Sequence, residues 1–431
     1  MTDLRVSCAT MFDEMLAIHD GALLVIGGAP RSRLDLLSAA RNAAAGREDG
    51  QPVVGRATEE CVVALLAAWL RDEIALVVDP REPVARVAEL SARLRRAGLR
   101  GPGVALSTSG SAGRPKLVVH GLESLLANAE ASNRRVPFGP GDRWLLSLGL
   151  HHVGGLGILM RAIAGGGTVV VGGGPGAVVA DLKATACTHA SVVATQLRGL
   201  LDEPAFAERP PATRAILVGG GPTPASWRRE ALRRGWPIEA TYGLTECASQ
   251  VATGRAALDD DATASGTPLD GVEVAIEDGE ILVRGPIVAR GAIDDAGVLR
   301  DLRRPDGFLP TGDLGRIDTR GVVQVLGRSD GMFISGGENI LPEEIENALR
   351  EVPGIRAARV VAVDDERWQR RPIAFVDGAF DPRELIATLE RLLPRFKWPD
   401  RIHAMPAEEA ARTKPRAEGL LASVGEPLWR R

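Results

Sequence analysis

The stretch that most constrains this chain is Leu106-Ser107-Thr108-Ser109-Gly110-Ser111-Ala112-Gly113-Arg114-Pro115-Lys116, which closes the short apolar run 103–106. Residues 108–116 crowd hydroxyls and glycines against one terminal ammonium. Glycines admit positive φ and let backbone N–H groups turn inward. The hydroxyls add donors, and Lys116 adds a mobile positive charge. A loop of this make-up suits a polyphosphate. It is not the Walker A pattern, because Lys116 follows Pro115 rather than glycine and no Ser or Thr comes next.

Such a loop needs a sheet to present it, and the surrounding pattern supplies one. Residues 62–70 read as a buried helix and 74–78 as a strand. Over 81–98, Val84, Val87, Leu90 and Leu94 recur at helical spacing. A strand over 104–106, the loop and a helix over 122–133 follow. Further strands are expected over 144–148, 168–171, 190–194 and 215–218, with helices between. This alternation predicts an α/β fold with a doubly wound, mainly parallel sheet. After residue 251 the texture changes. Short strands over 272–276, 280–283 and 322–326, set off by Gly/Asp turns, indicate a small β-rich subdomain. From residue 330 a mixed pattern appears: helices over 342–350 and 382–393, strands over 357–363 and 373–376. That is enough for a small α+β domain. The boundary is placed at 329/330, giving domains 1–329 and 330–431. Residues 1–50 give weak signals.

With 431 residues, two or three domains are expected. A net charge of −4 excludes a general basic face, so no nucleic-acid partner is expected. Cys8, Cys61, Cys187 and Cys247 lack metal-ligand spacing and read as reduced thiols. The N-terminal residues show no apolar leader core, and 62–70 is too short to span a bilayer. A soluble, cytoplasmic protein without membrane insertion is the expectation. Lys116, Lys183, Lys397 and Lys414 are the only lysines among 52 basic residues. Lysine is a compact point charge that arginine does not replace, so a lysine retained in so Arg-rich a chain attracts a functional reading.

Other motifs accompany the loop. In Ala240-Thr241-Tyr242-Gly243-Leu244-Thr245-Glu246, the chain's one tyrosine offers a flat face for adenine, Thr245 a hydroxyl and Glu246 a hard oxygen for Mg²⁺. Leu217-Val218-Gly219-Gly220-Gly221-Pro222 is a strand ending in glycines, where a backbone can approach a nucleotide. Pro310-Thr311-Gly312-Asp313 is read as a turn holding a carboxylate for ribose hydroxyls. Gly327-Arg328-Ser329-Asp330 stands at the expected boundary. His151 reads as structural, and His19, His120, His189 and His403 as surface or capping residues.

These motifs, in this order over about residues 55–420, resemble the superfamily of acyl-CoA synthetases, luciferases and peptide-synthetase adenylation domains. The resemblance implies a large N-terminal domain and a small mobile C-terminal one. It implies ATP, Mg²⁺ and CoA as co-substrate, with a small-molecule carboxylic acid as partner, and it leaves room for a homodimer. Thr108, Ser109, Gly110, Ser111, Gly113, Lys116, Gly220, Gly221, Pro222, Thr241, Tyr242, Thr245, Asp313 and Arg328 would bind the nucleotide, and Glu246 the metal. Lys414, in the degenerate run Ala411-Arg412-Thr413-Lys414-Pro415-Arg416, would hold the carboxylate and α-phosphate oxygens. Asp330 would be the hinge, Gly336 and Gly337 would line the CoA thiol's path, and His152 would gate it.

Narrower runs sharpen the resemblance: 148–156 with Arg161, Ala194-Thr195-Gln196-Leu197, Thr245-Glu246-Cys247-Ala248-Ser249-Gln250, and 334–346. They resemble a CoA ligase whose acid carries an aromatic carboxylate besides the one activated. Arg161 would recognise that group, with His152, Gly154, Gly243, Ser249, Ser265 and Thr267 around the acid. Ala112 in place of a loop Thr, and Thr413 in place of Gly, depart from the superfamily pattern. Another acyl or aryl acid–CoA ligase, a carrier-loading adenylating enzyme, and a non-catalytic nucleotide-binding regulator remain alternatives.

Overall fold

The Gly/Ser loop joins two strands that run in opposite directions. The computed structural model describes residues 19, 21–48, 50–108, 116–174, 176–221, 223–335, 338–365, 368–410 and 417–431. Within it, Gly103–Thr108 pairs antiparallel with Lys116–Gly121, and Thr108 faces Lys116 across the pair. The expected order of strand, loop and helix lacked this second strand. Its residues Leu117, Val118 and Val119 are all buried, so the run carries no alternation to betray it.

Two sheets share one helical layer. The larger has nine strands. Its central strands, Ala22–Ile26, Thr168–Val171, Arg143–Leu146, His189–Val193, Ala215–Gly219 and Ile238–Leu244, pair in parallel. Both edges turn antiparallel, through Ala29–Ser32 on one side and Ser249–Arg255 with Thr267–Pro268 on the other. The smaller has six strands and is mixed: Val53–Val54, Ile74–Val78 and Gly103–Thr108 run parallel, whereas Lys116–Gly121, Gly291–Ile293 and Leu299–Arg300 alternate. The antiparallel pairing of Gly103–Thr108 with Lys116–Gly121 is what reverses the direction.

Helices Glu59–Leu70, Leu122–Arg135 and Val153–Gly165 lie between the sheets. One apolar cluster joins Val104 and Leu106 of the smaller sheet to Leu65, Leu125 and Leu159 on the helices, and on to Trp144 and Val169 of the larger. Neighbouring strand residues feed opposite faces, as the two-residue period demands. Leu146 enters this cluster, and Leu145 enters the outer one with Val178, Leu197 and Trp227. Burying a Leu or Val side chain contributes roughly 1.5–3 kcal/mol, so clusters of this size dominate the stability of both layers. The N-terminal segment, weak as a sequence signal, forms Ala22–Ile26, Ala29–Ser32 and helix Arg33–Gly46. Arg33 Nη2 ties that helix to the carbonyls of Ala162 and Gly167 at 2.7 and 3.0 Å.

A four-stranded antiparallel sheet follows: Glu273–Glu277, Glu280–Arg284, Leu309–Ile317 and Val323–Arg328. Here one expectation is corrected. Asp313 lies inside the strand Leu309–Ile317 rather than in a turn. The turn-like signal has a local cause. Gly312 has φ 72°, and the Asp313 N–H donates to Thr311 Oγ1 at 3.0 Å, an internal kink that the strand absorbs. Beyond a short helical turn at Ser329–Gly331, hairpin Phe333–Ser335/Glu338–Ile340 and helices Pro342–Arg350 and Pro382–Leu392 pack with a four-stranded sheet, Ile355–Asp365, Gln369–Gly378, Arg401–Ala404 and Trp429–Arg430. Their core, including Ile345, Leu349, Val360, Ala374, Leu385 and Trp398, is separate from those before it. Among the described residues, no helix is long and apolar enough to cross a membrane.

Candidate functional site

The chain end of Ile238–Leu244 reverses at a short helical turn, Thr245–Cys247, and returns as Ser249–Arg255. The reversal is tight. A side chain on Gly243 would put its Cβ 1.8 Å from the Ser249 carbonyl oxygen. Ala248 (φ 56°) and Ser249 (φ 131°) both sit in the region that glycine favours, so the turn stores local strain. It places Glu246 at the tip. The Glu246 side chain makes no hydrogen bond or ion pair among the described residues, which suits a carboxylate waiting for a hard cation. Those residues contain no group of three or more His, Cys, Asp or Glu that could hold a metal ion by themselves.

His120 braces this turn from below. Its Nε2–H donates to the Thr245 carbonyl at 2.7 Å, and Nδ1 faces Ser124 Oγ at 2.9 Å. Burial pushes its pKa down to about 4. The surface or capping reading is corrected for three histidines: His120, His189 and His403 are all buried. His120 belongs to the strand absent from the sequence reading, which explains the miss.

On one side of the turn lies an arc of paired groups. The Tyr242 hydroxyl donates to Asp313 Oδ2 at 2.6 Å, and Arg328 Nη1 donates to Asp313 Oδ1 at 3.0 Å. Arg328 also reaches Asp330 at 3.2 Å and the Thr311 carbonyl at 2.9 Å. Burial, then the Asp313 charge, pushes the Tyr242 hydroxyl well above the usual phenol range. Close by, Gly219 abuts Thr241: a Cβ there would lie 2.5 Å from Thr241 Cγ2. The Thr241 hydroxyl turns inward, toward Thr253 Oγ1 at 2.8 Å. Gly220 has φ 77° and, with Gly221, is exposed. Lys116 is exposed at the start of its strand, opposite the partly buried Thr108.

The other side holds a buried cation. Helix Val153–Gly165 carries Gly154, Gly157 and Arg161 on one face, at helical spacing. Arg161 is only 1% exposed. Its Nε donates to Ser132 Oγ at 2.6 Å, its Nη2 donates to Gln250 Oε1, and its guanidinium carbon lies 4.9 Å over the Trp144 ring. Trp144 in turn stacks on His189, whose pKa burial lowers to about 4. Burial lowers the Arg161 pKa to about 9, which leaves it charged at neutral pH. No Asp or Glu forms an ion pair with it among the described residues, and Nη1 makes no hydrogen bond there. Beside it, the Cβ that Gly157 lacks would stand 3.5 Å from Nη1 and 3.5 Å from Ser249 Oγ. Arg161, Gly157 and Ser249 therefore converge on one gap.

His152 starts this helix and is exposed; partial desolvation, then His151, lower its pKa. His151 is held from behind. Its Nδ1–H donates to the Gly55 carbonyl at 2.9 Å, Nε2 lies 3.5 Å from Asp79 Oδ2, and the two imidazole rings are 4.2 Å apart. Gly154, in the first turn of the helix, faces Leu148. Ser265 and Thr267 are not hydrogen-bonded to Arg161: Ser265 Oγ donates to the Thr263 carbonyl at 3.2 Å, and Thr267 Oγ1 accepts from Arg135 at 2.5 Å. Ser109, Gly110, Ser111, Gly113, Pro222, Gly336, Gly337 and Lys414 lie outside the described residues. Gln250, Ser132, Gly157, Trp144 and Asp79 take part in the site without having been singled out for it. Gln250 stood within a quoted run and carried no role.

Comparison with known proteins follows the same outline. The AMP-binding enzyme family matches residues 104–292 and its C-terminal domain matches 344–414, together more than half of the chain. The chain is 38% identical to a 2-succinylbenzoate–CoA ligase of Salmonella typhimurium over 304 residues, covering 70% of this chain and 64% of that protein. It thus spans less than two thirds of that curated relative's length. An arginine-to-lysine variant of E. coli MenE with bound OSB-AMS superposes with a TM-score of 0.81 at 27% identity, covering 98% of this chain and 99% of that one. The Bacillus subtilis o-succinylbenzoate coenzyme A synthetase (MenE), in complex with ATP and magnesium ion, gives 0.78 at 25% identity, covering 92% and 95%.

Proposed function

This chain belongs to the AMP-binding enzyme family, and from that premise we propose that it is an ATP-dependent acid–CoA ligase that adenylates 2-succinylbenzoate and passes the acyl group to CoA, a step of menaquinone biosynthesis. One observation carries the choice of acid. Arg161 is a buried cation with no acidic partner among the described residues, and its unbonded Nη1 faces the gap between Gly157 and Ser249. A buried charge is costly unless something of opposite sign answers it. An acid with a second, aromatic carboxylate supplies that sign. The relatives named 2-succinylbenzoate–CoA ligase support the same reading.

The reaction has two steps. In the first, an oxygen of the aliphatic carboxylate attacks the α-phosphorus of ATP and pyrophosphate leaves, giving an acyl-adenylate. Catalysis is mainly positioning and stabilisation of phosphate charge. The loop 108–116, with Lys116, would hold the departing phosphates. Thr245, Tyr242, Gly220, Gly221 and Pro222 would seat the base and α-phosphate, with Thr241 shaping the strand beneath, and Asp313 and Arg328 would take the ribose hydroxyls. Glu246, unpaired among the described residues and at a turn tip, fits a magnesium ion, which when bound neutralises phosphate charge. Lys414 would meet the carboxylate and α-phosphate oxygens. In the second step the CoA thiolate attacks the acyl carbonyl and AMP leaves. We place the two domains at 1–329 and 330–431, with Asp330 as pivot, Gly336 and Gly337 along the thiol's path, and His152 at its mouth. Gly154, Gly243 and Ser249 would border the acid. Buried, unbridged Cys61, Cys187 and Cys247 support a cytoplasmic setting for the enzyme.

The test is product analysis. The purified protein with ATP, Mg²⁺, CoA and 2-succinylbenzoate should yield the acyl-CoA thioester, AMP and pyrophosphate in equal amounts. Faster turnover of a fatty or simple aryl acid, or AMP release without thioester, would overturn the assignment.

A further inference from the structure

Three nitrogens of Arg161 meet three different environments. Nε donates to Ser132 Oγ at 2.6 Å, Nη2 donates to Gln250 Oε1, and Nη1 is unbonded among the described residues. Ser132 Oγ itself donates to Gln250 Oε1 at 2.5 Å. The orientation of the Gln250 amide follows from this chemistry. A guanidinium can only donate, so the carbonyl oxygen must face it. The amide nitrogen then points the other way and donates to Thr253 Oγ1 at 2.6 Å and Thr241 Oγ1 at 3.4 Å. The Gln250 backbone is pinned as well, because Asn128 Nδ2 donates to its carbonyl at 2.7 Å and to that of Cys247 at 3.1 Å. Asn128, Ser132, Arg161, Gln250 and Thr253 are all buried.

Every acceptor in this clamp is neutral. A carboxylate at position 250 would fit the same space and pair with the guanidinium more strongly. It would also cancel the charge before any ligand arrived. We infer that Gln250 is a specificity-determining positioning residue: a neutral clamp that fixes two arms of Arg161 and leaves the third, still charged, for the second carboxylate of the acid. Gly157 completes the device: a Cβ there would stand 3.5 Å from Nη1 and 3.6 Å from Nη2, so its absence leaves that side of the guanidinium end open. The inference deepens the proposed function and rests on its diacid substrate.

The decisive variant is Gln250→Glu. It is isosteric, its new oxygen would face the hydroxyls of Thr253 and Thr241, and the buried ion pair it creates with Arg161 gives no reason for misfolding. The readout is the ratio of kcat/KM for 2-succinylbenzoate to that for the analogue lacking the ring carboxylate, beside the melting temperature. A well-folded Gln250→Glu protein should show this ratio reduced roughly 30-fold or more, the scale of losing a buried charge partner. Gly157→Ala provides a second arm. The added methyl stands in ordinary contact distance of its neighbours and favours the helix, yet occupies the gap. It should leave melting unchanged or raised and lower the same ratio. Wild-type selectivity in both folded variants would overturn the clamp. A wild-type protein with no preference for the diacid would instead overturn the substrate reading beneath it.

Discussion

Arg161 and Arg328 flank the same turn, and they are treated in opposite ways. Arg328 is half exposed and its charge is answered twice, by Asp313 at 3.0 Å and Asp330 at 3.2 Å. Arg161 is buried and answered by a serine hydroxyl, an amide oxygen and the face of an indole. The first arrangement is self-compensated: it holds a shape, and under the proposed function a ligand's hydroxyls would join bonds that already exist. The second is a charge removed from water with no acidic partner among the described residues, an arrangement that gains most when an anion binds. A shared co-substrate suits the paired side, and a selective acid suits the unpaired one.

Removing the unpaired charge should have the largest effect. Arg161→Met keeps an apolar chain over Trp144 and deletes the buried cation, so melting should hold or rise. Its kcat/KM for the diacid should fall by about 100-fold or more, while that for the analogue without the ring carboxylate falls far less. Steady-state kinetics with the two acids separate these outcomes; equal losses for both would erase the contrast between the two arginines. Breaking the paired side should act on the other substrate. Asp313→Asn weakens the hold on Arg328 and, under the proposed function, on the ribose, and should raise KM for ATP roughly tenfold. Preference between the two acids should stay unchanged, and a shift in it would show that the sides are not separate.

The smallest effect is one of stability and concerns the histidines beneath each side. His120 supports the Glu246 turn and His189 the Trp144 stack, and both have pKa values pushed from the ordinary 6.5 down to about 4 by burial. The unfolded chain therefore binds more protons between those values, so stability is full above pH 6.5 and declines as pH falls toward 4. At pH 5.5 each should cost roughly 1 kcal/mol, lowering the melting temperature by about 1–3 °C relative to pH 7.5. Thermal melts across that range should lose this slope stepwise in His120→Gln and His189→Gln. A flat wild-type profile would contradict the buried neutral state.

Much of the architecture was legible because the parallel strands are short, apolar and punctuated by glycine. The strands at Ile74–Val78 and Thr168–Val171 and the helix Pro342–Arg350 fall where periodicity places them. Three features were hidden for physical reasons. Lys116–Gly121 is buried on both faces and shows no alternation. Asp313 sits in a strand kinked by Gly312, which imitates a turn. The N-terminal hairpin and helix draw their packing from distant residues such as Ala162 and Gly167. Within the site, Arg161 could be singled out by charge type and resemblance. Gln250 could not, because a glutamine's role as clamp depends on an arginine 89 positions away in sequence.

The most direct measurement is a crystal structure with a non-hydrolysable 2-succinylbenzoyl-adenylate analogue bound. The ring carboxylate should lie within hydrogen-bond reach of Arg161 Nη1, directly or through one water, between Gly157 and Ser249, with Gln250 Oε1 still holding Nη2. A ring carboxylate seated elsewhere, or an Arg161 whose Nη1 is paired with an acidic side chain of the protein, would contradict the account.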